Sequence, residues 1–110
     1  EAERVFALLK KGLARMAGAT FVVWYPVKTR TQADAFVDLI ASLNVPGMLH
    51  AELLVREPFA DGGLAGSGLI IVNPPWMLHD ELSILMPALA GRLGIGEWGR
   101  GVTRWITPPR

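Results

Sequence analysis

Three features of the sequence predict an α/β fold. Apolar residues recur at spacings of three and four near the amino terminus, across residues 33–43 and again after residue 78. The segments 20–27 and 68–72 are apolar over a strand length, and the connection 60–68 (ADGGLAGSG) is too rich in glycine and too short for a crossover helix. With 110 residues, 51% of them hydrophobic and 19% charged, the chain can form one core and at most one domain.

Val5, Phe6, Leu8, Leu9, Leu13 and Met16 form the first helical stripe, with Glu1 and Glu3 early and Lys10, Lys11 and Arg15 late, in keeping with the helix dipole; Gly18 is read as its stop. Thr20 to Val27 is apolar on both alternating faces, which predicts a central parallel strand covered on each side. Thr31, three residues before Asp34, is read as the cap of a second helix carrying Ala33, Phe36, Val37, Ile40 and Leu43, and Asn44 and Pro46 end it. His50 to Glu57 mixes polar residues with Leu53, Leu54 and Val55, so it is placed near an edge with one wetter face. Gly68 to Val72 returns antiparallel after the short loop, between the two preceding strands. Leu78, Leu82, Leu85, Met86, Leu89 and Leu93 mark a third helix, in which Pro87 predicts a kink or split, and Trp98 to Thr107 is a last short strand.

Eleven Lys and Arg against ten Asp and Glu leave a net charge of +1, so composition argues neither for nor against a nucleic-acid partner. The absence of cysteine excludes disulfides, thiolate metal sites and cysteine nucleophiles. His50 and His79 lack metal-ligand spacing, and no metal is expected. Glu52, Glu57, Asp61, Asp80 and Glu81 are read as ordinary solvated acids. The apolar stretches fall far short of the ~20 residues that span a bilayer, and no basic-then-apolar leader is present, so a cytoplasmic location is expected. The chain begins at Glu1 inside a helical pattern, which leads us to expect a piece of a longer protein.

Asn73-Pro74-Pro75-Trp76 is the most suggestive motif. An Asp/Asn/Ser-Pro-Pro-aromatic turn serves amino-group methyltransferases by accepting hydrogen bonds from the target amine while the ring stacks on the base. The competing reading is two prolines that stop a strand and open a helix. Strand direction favours the latter, because ligands of an open α/β sheet bind beyond the carboxyl ends of its parallel strands, and an antiparallel strand carries Asn73 to the opposite edge. Gly94 to Gly99 fits G-x-G-x-x-G but follows a helix, so it is a helix stop and a turn. Gly66-Ser67-Gly68 lacks the spacing of a nucleophile elbow.

Trp24-Tyr25-Pro26 ends a strand at the ligand edge. Tyr25, Pro26, Lys28, Arg30 and Ser67 are therefore the substrate-binding candidates, with an aromatic ring for a base and two cations for phosphate. Packing of Tyr25 against a helix is an equal alternative. The glycine-rich loop 60–68 opens on the same edge as a candidate substrate-contacting loop.

The runs GATFVVWYPV, LAGSGLIIVNPPWMLHDELSILMPALAGRL and RWITPP resemble the carboxyl-terminal part of the RlmJ family, bacterial methyltransferases of an adenine N6 in large-subunit ribosomal RNA. The resemblance covers nearly the whole chain. It implies a class-I, Rossmann-like methyltransferase sheet with an antiparallel strand near one edge, S-adenosylmethionine as cofactor, ribosomal RNA as substrate and no metal. The family's cofactor residues and catalytic Asp-Pro-Pro-Tyr turn precede the helix at Glu1, so no catalytic or cofactor-binding residue is assigned to this chain; both are expected upstream. Asn73 to Trp76 resembles the family's later Pro-Pro motif. The chain is then expected to be inactive alone and to partner the amino-terminal half of the same protein, with a monomer expected. A DNA adenine methyltransferase-like protein linked to use of external DNA and a non-enzymatic nucleic-acid-binding module are the alternatives.

Overall fold

The computed structural model describes residues 1–58, 63–96 and 98–109. Its order is α1 (Ala2–Arg15), β1 (Phe21–Val27), α2 (Arg30–Ala41), β2 (Met48–Leu54), β3 (Gly66–Val72), α3 (Leu78–Leu93) and β4 (Arg100–Thr107). The four strands form one sheet in the order β1-β3-β2-β4, with every ladder antiparallel. β3 lies between β1 and β2 as its direction and apolar sequence predict. The expected parallel pairing is not found: β1 and β2 run the same way, yet β3 separates them, and no described strand pairs with β1 on its other side.

One sheet face, carrying Val23, Tyr25, Val27, Met48, Leu54, Ile70 and Val72, packs on Leu9 of α1 and on Ala33, Val37 and Ile40 of α2. Ile40, Ile70 and Val27 are fully buried, and each such side chain contributes about 1.5–3 kcal/mol by leaving water. α3 crosses the opposite face over β2 and β4, close enough that a side chain at Gly101 would meet the Met86 backbone.

Several boundaries and environments correct the sequence reading. α1 ends at Arg15, before Gly18, and α2 is capped by Thr29, whose hydroxyl accepts from the Gln32 amide at 3.2 Å; Thr31 lies inside that helix. Pro87 does not split α3, which is one helix over Leu78–Leu93. β1 is the edge strand of this sheet, with Val22 and Trp24 exposed at 61% and 59%. β2, placed near an edge by its polar residues, is interior and buried along nearly its whole length. The last strand stands as expected. No helix among the described residues is long and apolar enough to cross a membrane.

Candidate functional site

Because β1 and β2 share a direction, their carboxyl ends at Val27 and Leu54 meet the starts of β3 and β4 along one edge of the sheet. Lys28 and Thr29 follow immediately, and α2 begins at Arg30. This edge gathers every substrate-binding candidate, but the pleat divides them. Pro26 pairs with Ser67 on the face away from α1 and α2, whereas Tyr25 points to the opposite face.

Tyr25 is 3% exposed, and its ring lies 5.3 Å from Phe36 and 6.0 Å from His50 between centroids. No face of the ring is open to a base, so the packed alternative describes its position. The ring crosses β3 at Gly68, where any Cβ would overlap it, and so reaches the polar side chains of β2. Its hydroxyl donates to Glu52 Oε2 at 2.5 Å and lies 2.5 Å from His50 Nε2. The phenol proton is committed to Glu52, so His50 Nε2 carries a hydrogen and donates to the phenol oxygen. His50 Nδ1 is then a bare acceptor, buried without a hydrogen-bond partner among the described residues.

Arg30 closes the network from the start of α2. Its Nη1 and Nη2 donate to Glu52 Oε1 and Oε2 at 2.6 and 2.9 Å, and Nε donates to Asp34 at 3.0 Å. Two carboxylates therefore compensate this guanidinium, Glu52 on the buried side and the exposed Asp34 at the surface. Lys28, by contrast, is exposed with no ion pair among the described residues.

The titration of these groups follows from their surroundings. Burial works to raise the Glu52 carboxyl, but hydrogen bonds from Arg30 and Tyr25 outweigh it and hold the group below its ordinary value. Burial, together with the charge of Arg104 on β4, pushes His50 down to about 4. Burial and the Glu52 hydrogen bond raise the Tyr25 phenol, and the Glu52 hydrogen bond raises Arg30. At neutral pH the cluster is a neutral histidine, a phenol and a closed ion pair. The sequence presents Glu52 as an ordinary solvated acid; at 6% exposure it is an internal anion. The signal for it lay in the spacing, since His50 and Glu52, two residues apart on a strand, share one face.

Asn73 lies at the other edge of the sheet. It has φ +55° and ends β3, its backbone amide donating to Gly47 O at 2.9 Å. Its side-chain Nδ2 donates to Ala17 O and Ala19 O at 2.7 and 3.0 Å, and Thr20 Oγ1 donates to its carbonyl at 2.6 Å. The residue ties the α1–β1 connection to the start of β2. Gly94 to Gly99 follows α3 as expected, with Glu97 outside the described residues; residues 60–62 of the glycine-rich connection also lie outside them. Among the described residues no group of acids and histidines is arranged to hold a metal ion.

The fold and this edge define an α/β domain with a central antiparallel insertion strand and a buried ion-pair cluster beneath the carboxyl end of β1. The chain belongs to the family described as RsmJ, ribosomal RNA large subunit methyltransferase D, RlmJ, which matches residues 1–107. It is 32% identical over 107 residues to ribosomal RNA large subunit methyltransferase J of Haemophilus influenzae, covering 94% of this chain and 37% of that protein. Against the protein of the same name from Escherichia coli strain K12 it is 28% identical over 106 residues, covering 96% and 38%. The crystal structure of protein LPL1258 from Legionella pneumophila matches with a TM-score of 0.83 at 21% identity, covering 96% of this chain and 38% of that one, and so shares its fold. The chain thus spans less than two-fifths of the length of these relatives.

Proposed function

We propose that this chain is the carboxyl-terminal portion of an S-adenosylmethionine-dependent methyltransferase that modifies an adenine N6 of large-subunit ribosomal RNA. Family membership over residues 1–107 carries the reading, because both curated relatives are named as ribosomal RNA large subunit methyltransferases. The portion supplies scaffold. Glu52 and Arg30 are bound to each other, Asn73 is committed to backbone groups, and the Gly94–Gly99 string follows a helix where a cofactor loop needs a strand. These residues do not fit S-adenosylmethionine, whose binding and whose methyl-transfer chemistry we assign to the rest of the protein.

The amino-terminal half is the partner this reading requires. Among the described residues β1 has a free edge and a bare apolar face at Val22 and Trp24, in agreement with a sequence apolar on both sides. On the RNA side, Lys28 and the Pro26–Ser67 pair are the members of the candidate set that face outward, with Lys28 placed for phosphate. Tyr25 and Arg30 act through position, holding the start of α2 against the sheet. The protein acts as a monomer in the cytoplasm.

The test is transfer of labelled methyl groups from S-adenosylmethionine to ribosomal RNA and to DNA of matched sequence, by the full natural protein and by residues 1–110 alone. The expected result is adenine methylation of RNA by the full protein and none by the shorter chain. Robust transfer by residues 1–110 contradicts the division of labour, and preference for DNA contradicts the substrate.

A further inference from the structure

Trp76 is 88% exposed, and its ring takes part in no aromatic or cation contact among the described residues. It stands on the rim of a cleft of about 690 Å³ at the Asn73 edge, lined by Leu13, Gly18, Pro46, Pro74, Trp105 and Pro109 among others. Trp105 already has one ring face covered by His79, at 5.5 Å between centroids and 13° between planes, so Trp76 is the open indole of the pair. Pro74 and Pro75 and the hydrogen bonds of Asn73 fix the backbone that presents it.

The cleft lies at the carboxyl end of α1, since Leu13 and Gly18 line it. On the solvent side of that helix, Arg4, Lys11 and Arg15 repeat at helical spacing, all exposed and with no ion-pair partner among the described residues. Eleven positions separate the first from the last, roughly 16 Å along the helix, a span over which a nucleic-acid strand presents several phosphates. Arg15, the last of the row, stands two residues before Ala17 in the cleft lining, and cations without ion-pair partners among the described residues, an exposed indole and an apolar cleft are what a single-stranded polyanion with flat bases requires.

We propose that the Trp76 cleft, at the sheet edge opposite Lys28, and the α1 cations that run back from it along the helix form a second RNA-binding surface, which anchors a single-stranded segment by stacking one base on Trp76 while Arg4, Lys11 and Arg15 meet phosphates. The choice of RNA as the polyanion rests on the function proposed above.

The experiment uses the full natural protein, a fluorescein-labelled single-stranded RNA of twelve nucleotides and fluorescence anisotropy across a salt series. Trp76→Ala is expected to weaken binding about tenfold, and Trp76→Phe to restore most of it. The triple variant Arg4→Gln, Lys11→Gln, Arg15→Gln is expected to lower the slope of log K against log salt by about 2. Wild-type affinity and slope in both sets of variants overturn the inference. So does a lowered melting temperature or a changed molecular mass in Trp76→Ala, since the indole would then be covered by protein. Methyl transfer measured in parallel separates the two claims: Trp76-dependent RNA binding without methylation keeps this surface and removes the enzyme reading, and methylation with Trp76-independent binding does the reverse.

Discussion

β1 and β2 are seven-residue strands that run the same way on either side of β3, and their sequences and environments are inverted. β1, almost wholly apolar, leaves Val22 and Trp24 in solvent; β2, which contains a histidine and a glutamate, is the buried interior strand. The difference lies in what each strand is given to pack against. Alternating polar residues state which side chains share a face, while the partners available on that face decide whether it is wet. His50 and Glu52 are internal because Tyr25 and Arg30 reach them from β1 and α2.

The largest effect should follow from removing the cation of that arrangement. Arg30→Ala leaves the Glu52 carboxylate buried without its bidentate partner. After allowance for the half-exposed position of Arg30, it is expected to destabilise the fold by about 3 kcal/mol in urea unfolding. Lys28→Ala, two residues away with no ion pair among the described residues, should stay within about 0.5 kcal/mol. Equal costs would erase the contrast between a closed cation and an open one.

Tyr25→Phe keeps the ring and deletes the hydroxyl that links β1 to β2. It should cost about 2 kcal/mol, because the buried donor on His50 loses its partner and Glu52 Oε2 keeps only its bond from Arg30. If the phenol instead served a base from the surface, stability would hold and RNA affinity would fall.

Much of the fold was legible because direction and burial leave periodic traces. The antiparallel insertion of β3 followed from a connection too short to cross over, and that polarity removes Asn73 from the Lys28 edge. The exchange of roles between β1 and β2 was not legible, because long-range partners fill both gaps: Arg30 lies 22 residues from Glu52 and Tyr25 lies 27. The capping threonine was missed by two positions because Thr29 and Thr31 both precede the apolar stripe. Within the candidate site, Pro26 and Ser67 meet as strand register implies, and Tyr25 turns inward by the same alternation.

Acid should separate the two strands more gently. His50 binds its proton only near pH 4 in the fold, whereas an unfolded histidine binds one near ~6.5. Between those values the unfolded chain takes up more protons, so stability falls as pH drops through that window. The depressed Glu52 acts in the same sense at lower pH: its stabilisation is present above the unfolded carboxyl value and lost as pH falls through the folded one. His50→Gln is expected to flatten the limb between roughly pH 6.5 and 4 in melting temperature measured against pH.

The smallest effects belong to the bare face of β1. In the 110-residue chain, Val22→Ser should change stability by less than about 0.5 kcal/mol. In the full natural protein the same substitution should cost more than about 1 kcal/mol, if the amino-terminal half covers this face as proposed. Equal costs in the two forms would leave that face without its proposed partner.

The central claim, that the middle of β2 holds a closed and buried polar network, is tested most directly by nitrogen-detected NMR of the His50 ring between pH 4 and 8. A neutral ring with its hydrogen on Nε2, unchanged until the pH approaches 4, is the expected spectrum. A ring that titrates near ~6.5 like a histidine in water, or one with its hydrogen on Nδ1, would contradict it.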